Sequence, residues 1–250
     1  MPHYKYRCLI MYEKRTYRDN FSGSNLVFFD AVVMETDLKI GADKDLGDLA
    51  YKWIKEYRKQ LEDYIKRDPV FLKSLEPTNP IGSHPYIVDR MCDAARKAGV
   101  GPMAAVAGAF SELVGLKLLD ESKEVIVENG GDLFIKSNST RKIGIYAGNS
   151  PLSGKIALEI KPENTPIGVC TSSGTVGHSL SFGRADAAVI VSKDTFLADA
   201  AATATGNLVK DAGDIEKGIS FASSIEGIEG VLIIVGEKMG VWGDIKLSKW

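Results

Sequence analysis

The sequence predicts an α+β fold in which antiparallel sheets are covered by helices. A segment after Asp45 repeats apolar residues every three or four positions, which is the period of an amphipathic helix. Short apolar runs bounded by Gly, Asn, Ser or Pro fill much of the second half, as expected for antiparallel strands. The 250 residues are 44% hydrophobic, enough for one large core or for two fused small ones. We expect a single domain over residues 1–250, with an internal boundary near residues 77–85.

The first half of the chain predicts strands followed by helices. Residues Tyr4–Ile40 predict two long strands in a hairpin, interrupted by FSGSN. An amphipathic helix is expected from Leu46 to Ile65, and a second from Tyr86 to Lys97 that ends at Gly99. The proline-rich segment EPTNPIGSHP lies between them and predicts a loop.

A third helix is expected to begin at Pro102 and to run through MAAVAGAFSELVGLKLL. Its first half is rich in Ala and Gly, and small side chains let another backbone or a flat ligand approach closely.

The second half predicts six strands, a helix from Thr195 to Lys210, another from Asp214 to Ser223, and a closing hairpin. The six runs are EVIVE, DLFIK, KIGIYA, KIALEI, IGVCTS and AAVIVS. Their turn-bounded spacing predicts a mostly antiparallel sheet.

Charge and cysteine usage exclude several classes of protein. There are 31 basic and 33 acidic residues, so no broad cationic field is available for nucleic acid. No apolar run has the length of a membrane span or of a signal-peptide core. The three cysteines, Cys8, Cys92 and Cys170, are an odd number at wide spacing and indicate a reducing compartment. We expect a cytoplasmic protein with no membrane partner, and a homo-oligomer is left open.

Asp199 and Thr203 are a candidate pair of metal ligands in the segment ADAAATATGN. Four residues apart on a helix, they share one face, and a carboxylate with a hydroxyl supplies the hard oxygen ligands that suit Mg²⁺. The alternative is a core helix in which Thr203 bonds the carbonyl of residue 199. The pair by itself favours that alternative.

A second candidate is the loop from Cys170 to His178, which has the sequence CTSSGTVGH. Backbone amides and hydroxyls in such a loop can hold phosphate oxygens, and His178 can act as acid, base or pyrophosphate contact. The loop residues expected to bind a cofactor are Thr171, Ser172, Ser173 and Gly174. An ordinary polar connection explains this composition about equally well.

The third candidate is the run Asn129, Gly130, Gly131 and Asp132, between two strand-like segments. Asn-Gly at this place is a strong hairpin signal. Glycines at a strand junction also let a ring or a phosphate touch the backbone, with Asn129 and Asp132 bonding polar edges of a nucleotide. Both interpretations can hold together.

These segments occur in the order GPMAAVAGAFSE, ENGGDL, KIGIYAG, TSSG with a following histidine, and ADAAATATGN. That order resembles the ApbE-like superfamily, whose best-known members are Mg²⁺-dependent FAD:protein FMN transferases. The match covers about Gly99 to Asn207. The runs GVGPMAAVAGA and CTSSGTVGHSLSFG look more specifically like an uncharacterised-protein-family branch, over nearly the whole chain.

The resemblance implies a T-fold-related α+β fold and a site with Mg²⁺ and FAD or FMN as cofactors. It places Asp199 and Thr203 at the metal-binding positions, and Asp199 and His178 among the catalytic residues. The flavin nucleotide would be held by the residues of the second and third candidates, Asn129, Gly130, Gly131, Asp132, Thr171, Ser172, Ser173 and Gly174. The implied activity is metal-assisted transfer of a phosphoryl-linked group.

Three features depart from the transferase pattern. Ala107 stands where that pattern has a lysine, and His178-Ser-Leu-Ser-Phe-Gly183 replaces a histidine followed by Asp-Pro. The export signal and lipid-anchored cysteine of many transferases are missing. The branch is associated with sulfide assimilation into homocysteine in anaerobes, so the alternative function is an accessory role in sulfur metabolism with Cys170 as its thiol. A non-catalytic ligand-binding homologue is the third interpretation.

Overall fold

The structure is a computed structural model that describes residues 25–174 and 183–250, and it has three layers. Helices cover one face of a large sheet, and a small sheet covers the other face. The helices are α1 (Gly47–Arg67), α2 (Pro69–Lys73), α3 (Tyr86–Ala98), α4 (Val106–Leu118), α5 (Thr195–Leu208) and α6 (Ile215–Ser223). The strands are β1 (Val27–Val33), β2 (Thr36–Ala42), β3 (Val125–Asn129), β4 (Asp132–Lys136), β5 (Arg141–Gly144), β6 (Ile156–Ile160), β7 (Ile167–Ser172), β8 (Ala187–Ser192), β9 (Ile228–Val235), β10 (Lys238–Gly243) and β11 (Leu247–Lys249).

The large sheet has the order β1-β2-β3-β4-β7-β8-β9-β10, and the small sheet has the order β11-β6-β5. Every neighbouring pair is antiparallel, as the sequence predicted. All six residues of β8 are buried because both faces of the central strands are covered. The continuous apolar run AAVIVS follows from this two-sided burial.

The main core lies between the large sheet and the helices. Helix α1 contributes Ala50, Ile54, Leu61 and Tyr64, which recur at helical spacing and confirm the predicted amphipathic helix. Residues on both sides of the 77–85 loop, such as Tyr64 and Met91, belong to this core.

A second core fills the space between the two sheets. Alternate residues of the large sheet face it, such as Val169 of β7 and Val189 of β8, whereas Cys170 and Ile190 face the helices. This alternation decides which side chains of β7 can meet helix α5.

The N-terminal hairpin differs from its prediction. Residues Leu26–Ile40 were expected as one strand, but the segment turns at Met34 and pairs with itself as β1 and β2. Met34 has a φ of 55°, in the left-handed region. Methionine rarely adopts this conformation, so nothing in the sequence indicated a turn here. The expected partner strand from Tyr4 to Arg15 lies outside the described residues.

The helix predicted from Pro102 is also divided, because Pro102–Ala105 forms a 3-10 turn before α4 begins. Helix α3 ends at Gly99, in the left-handed conformation, as predicted. Among the described helices, none alone has the length and apolarity of a membrane span; the sharply bent pair Tyr86–Ala98 and Pro102–Leu118 meets that test by length and composition only.

Candidate functional site

Helices α4 and α5 cross at Gly108 with their backbones in close contact. A Cβ atom on Gly108 would lie 2.4 Å from the carbonyl oxygen of Thr195 and 2.8 Å from Cβ of Asp199. No residue larger than glycine fits without a shift of backbone. At Gly108, therefore, the small side chains before Ser111 allow the backbone of α5 to approach that of α4.

The two helices cap each other. The backbone N–H of Gly108, in the first turn of α4, donates to Oδ2 of Asp199 on α5 at 2.8 Å. The backbone N–H of Thr195, at the start of α5, donates to Oε2 of Glu112 on α4 at 2.7 Å. Each carboxylate thus satisfies an amide that its partner helix leaves unpaired and lies at the positive end of that helix dipole.

The hairpin of β3 and β4 brings two more site residues to the same place. Asn129 and Asp132 are register partners across the turn, and Gly130 and Gly131 have φ values of 66° and 107°. The predicted hairpin is confirmed, and Gly130 and Gly131 form its turn. The side-chain amide of Asn129 donates to the carbonyl oxygen of Ala107 at 3.3 Å, which ties the hairpin to the beginning of α4.

Asp132 and Asp199 form a buried pair of carboxylates, with 7% of each residue exposed. Burial raises the pKa of Asp132 well above its usual range, and the charge of Asp199 raises it further. Burial also raises the pKa of Asp199, although hydrogen bonds from the amides of Gly108 and Ala107 oppose that rise. Two like charges in a poorly solvated place repel each other, so a cation or a shared proton would stabilise the pair.

The end of β7 borders the pair. The backbone N–H of Thr171 donates to Oδ1 of Asp132 at 3.3 Å. Ser172 faces α5, where its Oγ lies 3.1 Å from the place that a Cβ on Gly206 would take. Because side chains alternate along β7, Thr171 contacts Asp132 through its amide, whereas the hydroxyl of Ser172 lies against α5 near Gly206, about two helical turns beyond Asp199.

Cys170 lies between these residues and is fully buried. Its Sγ lies 3.6 Å from the carbonyl oxygen of Thr195, and burial raises the pKa of the thiol well above its ordinary value, with the charges of Asp132 and Asp199 adding to that effect. A thiol in such surroundings stays protonated and is a poor nucleophile. The structure gives no support to Cys170 as an exposed sulfur-carrying thiol.

The remaining predicted residues occupy different positions relative to this centre. Thr203 lies one helical turn beyond Asp199 on α5 and is half-buried. Ser173 and Gly174 follow β7, and the N–H of Gly174 donates to the carbonyl oxygen of Ala185 at 2.9 Å. His178 lies outside the described residues, so its catalytic role stays a prediction.

The donors at this centre suit a hard divalent cation. No group of three or more His, Cys, Asp and Glu side chains within the described ranges is arranged to hold a metal ion. Asp132 and Asp199 nevertheless provide two carboxylates, and carboxylate, hydroxyl and carbonyl oxygens are the ligands that Mg²⁺ prefers. The residues present fit such an ion through oxygen atoms and not through nitrogen or sulfur.

Two residues that support this centre, Ser111 and Glu112, were not predicted from the sequence. Ser111 donates from Oγ to the carbonyl oxygens of Asp132 and Ala107, at 2.9 and 3.1 Å, and Glu112 caps α5. Only tertiary contacts bring these residues to the hairpin and to α5. The one signal in the sequence was their position directly after the Ala/Gly-rich run.

The chain matches the model of the family described as AbpE bacteria over residues 19–237. A UPF0280 protein of Methanocella arvoryzae is 43% identical over 212 residues, which cover 84% of this chain and 86% of the relative. A UPF0280 protein of Methanococcus vannielii is 44% identical over 219 residues, covering 85% and 89%.

Two solved structures share the fold. The flavinyl transferase ApbE of Pseudomonas stutzeri in its apo form has a TM-score of 0.55 at 15% identity, covering 87% of this chain and 93% of its own. The flavin transferase ApbE of Vibrio cholerae has a TM-score of 0.53 at 14% identity, covering 90% and 96%. At these identities the likeness shows the fold alone. The chain belongs to the AbpE bacteria family, is similar to UPF0280 proteins over most of its length, and has the fold of the ApbE flavin transferases.

Proposed function

We propose that this protein binds a divalent cation, Mg²⁺ in the first instance, together with the diphosphate of a flavin dinucleotide. The observation that carries the proposal is the convergence of Asp132 and Asp199, two buried carboxylates, at the beginning of α4. Burying two carboxylates side by side is costly unless a cation or a proton neutralises them. The fold shared with flavin transferases supplies the class of nucleotide.

The residues around the pair have separate tasks in this proposal. Asp199 and Asp132 supply carboxylate oxygens to the cation, with Thr203 one helical turn away on the same helix as Asp199. The two glycines of the hairpin, Gly130 and Gly131, leave backbone free of side chains, so that a phosphate or a flat ring can come close beside Asn129. The hydroxyl of Ser172 faces α5 at the end of β7, where it can donate to a phosphate oxygen.

A bound Mg²⁺ would polarise the pyrophosphate of FAD and lower the barrier to attack on phosphorus. The chain's own contribution is to hold Asp199 in a fixed rotamer through the amide of Gly108, so that the carboxylate is oriented before ligand arrives. Attack by an acceptor hydroxyl or by water on the FMN phosphorus would form a new P–O bond, break the pyrophosphate bond and release AMP, leaving FMN joined to the acceptor or free. His178 is the predicted acid or base.

The binding test is isothermal titration calorimetry with FAD in the presence of Mg²⁺ or of EDTA. We expect FAD to bind with Mg²⁺ and at least tenfold more weakly with EDTA, and we expect Asp199→Asn and Asp132→Asn to remove the effect of the metal. Asp211→Asn is a matched control, because Asp211 also accepts a glycine amide, that of Gly213 at 2.7 Å, but lies beyond the other end of α5. Equal FAD binding by the native protein and both site variants would contradict the proposal.

Transfer chemistry is tested separately by chromatographic detection of AMP and FMN after incubation with FAD and Mg²⁺. Release of AMP that disappears in Asp199→Asn identifies an enzyme. Metal-dependent binding without AMP release identifies a ligand-binding homologue, the third interpretation of the sequence.

A further inference from the structure

Glu128 is a buried carboxylate beside the proposed cation site. It lies on β3 and is 1% exposed. A carboxylate removed from water is costly unless hydrogen bonds or a nearby cation compensate for its lost hydration. Its Oε1 accepts from the backbone N–H of Gly131 at 2.8 Å. This contact joins a buried charge to the glycine turn of the β3–β4 hairpin.

Glu128 and Asp132 lie on opposite faces of the large sheet. Ile126, two residues before Glu128, belongs to the core between the two sheets, so Glu128 faces that side. Leu133 belongs to the same core, so its neighbour Asp132 faces the helices. Glu128 therefore supports the hairpin from behind and is not placed to bind a cation held by Asp132 and Asp199.

The bond to Gly131 satisfies an amide that the strand ladder does not use. Asn129 and Asp132 are the last register partners of the hairpin. The amides of the two glycines between them therefore lie outside the ladder. Glu128 accepts one of these amides and so fixes the turn at Gly131, whose φ of 107° lies in the region that favours glycine.

Gly131 also lies against the end of β7. A Cβ at Gly131 would be 3.6 Å from the carbonyl oxygen of Thr171. The backbone N–H of Thr171 donates to Oδ1 of Asp132 at 3.3 Å. A shift of the turn would therefore move the backbone that carries Asp132 and would also change the contact that orients its carboxylate.

The charge of Glu128 has a smaller effect on the site than its bond to the turn. Burial and the charge of Asp199 are the main causes of the raised pKa of Asp132, and the charge of Glu128 adds the least to it. Lys39 on β2 is the register partner of Glu128, so unlike charges are paired across these strands. Lys39 also binds Asp30 of β1 through Nζ at 3.1 Å, which completes a row of alternating charges on three strands.

We propose that Glu128 is a positioning residue of the cation site, which holds the turn through the amide of Gly131 and so presents Asp132 to Asp199. This inference rests on the proposed function, because the orientation of the pair matters to a ligand only if the pair binds a cation. Removing a group that orients metal ligands without touching the metal typically weakens metal binding about 10- to 100-fold.

Two conservative variants separate the bond of Glu128 from its charge. Glu128→Asp keeps the charge, but its side chain is one methylene shorter, so its carboxylate no longer reaches the amide of Gly131. Glu128→Gln loses the charge and keeps an oxygen that can accept that amide. In calorimetric titration with Mn²⁺ alone, we expect Glu128→Asp to bind about 10- to 100-fold more weakly than the native chain. Glu128→Gln should bind nearly as well as the native chain.

Asp186→Ala is the matched control. Asp186 also accepts the amide of a turn glycine, that of Gly236 at 2.7 Å, but in the hairpin of β9 and β10. Loss of that bond should leave the affinity for Mn²⁺ unchanged. Circular dichroism checks that each variant folds. Hydrogen exchange at the amide of Gly131, followed by NMR, should be faster in Glu128→Asp than in the native chain or in Glu128→Gln.

The results distinguish this role from the proposed function. A native chain that binds neither Mn²⁺ nor FAD would overturn the proposed function and the role of Glu128 with it. Native binding of Mn²⁺ that a folded Glu128→Asp variant retains in full would overturn the positioning role alone. A loss of Mn²⁺ affinity in Glu128→Gln would do the same, also where Glu128→Asp does not fold, because the bond to Gly131 would then not be the contact that matters.

Discussion

At Asp199, one carboxylate satisfies the beginning of helix α4 and also lies beside a second buried carboxylate, Asp132. The first contact is structural and needs no ligand. The second makes the place chemically unusual, since buried carboxylates rarely lie together unless something neutralises them. Helix α5 is a core helix, as the local alternative expected, but Asp199 is buried and its carboxylate accepts the amide of Gly108 on α4.

Two substitutions at Asp199 distinguish its contact with the amide of Gly108 from its contact with Asp132. Asp199→Asn keeps an oxygen that can accept the amide of Gly108, so we expect the free energy of unfolding to change by less than about 1 kcal/mol. Asp199→Ala leaves that buried amide unpaired and should cost about 1–3 kcal/mol. Urea unfolding of both variants in EDTA measures the difference. Equal losses for Asn and Ala would contradict the capping role.

At the scale of elements, the crossing of α4 and α5 sets the position of the site. The helices exchange carboxylate caps through Asp199 and Glu112, and the contact at Gly108 is backbone to backbone. Arg90 of α3 adds a salt bridge of 2.8 Å to Asp194, the N-cap residue of α5. Helix α5 is therefore held at its beginning by two other helices.

Gly108→Ala tests this crossing. In an exposed helix, alanine stabilises by up to about 1 kcal/mol relative to glycine. Here the new methyl group would lie 2.4 Å from the oxygen of Thr195, and relieving such overlap costs about 1–3 kcal/mol. We expect a net loss of stability and weaker cation binding, measured by thermal unfolding and by titration with Mn²⁺. Leu116→Ala, at an exposed position of the same helix, should change stability by no more than about 0.5 kcal/mol.

At the scale of the whole molecule, Glu124 joins parts of the chain that lie far apart in sequence. Its carboxylate accepts from the side chain of Asn25 at 2.6 Å, from the amide of Asn138 at 2.8 Å and from Arg141 at 2.8 Å. Burial opposes its ionisation, but the hydrogen bonds from Ser137, Asn138 and Arg141 prevail and lower its pKa to about 2. This cluster connects the large sheet to the small sheet at β5.

The shift makes stability depend on pH in a definite direction. Because the folded pKa lies below the unfolded one, Glu124 stabilises the protein above about pH 4.5, and this contribution is lost as pH falls toward 2. We expect the difference in free energy of unfolding between the native chain and Glu124→Gln to be about 3 kcal/mol at pH 7 and to shrink by about 2 kcal/mol at pH 3. Denaturant unfolding at the two pH values measures it. A difference that does not depend on pH would contradict this role for the carboxylate.

Much of the fold could be predicted because its signals are local. Strands such as IGVCTS and AAVIVS were placed at their observed bounds, and the Asn-Gly signal predicted the hairpin at Gly130. The strand predicted through Met34 failed because a turn with positive φ formed at a residue that rarely adopts one. At Met34 the antiparallel pairing of β1 with β2 overrides the local preference of the segment for one extended strand.

The sequence by itself determined the α+β class, the order of the site segments and their resemblance to the ApbE-like superfamily, since period, turn residues and motifs are written along the chain. The tertiary structure alone decided that Asp132 joins Asp199, that Cys170 is buried between them and that Glu112 caps α5. These are contacts between residues tens of positions apart. Their energies depend on distance and on exclusion from water, and neither is encoded in local spacing.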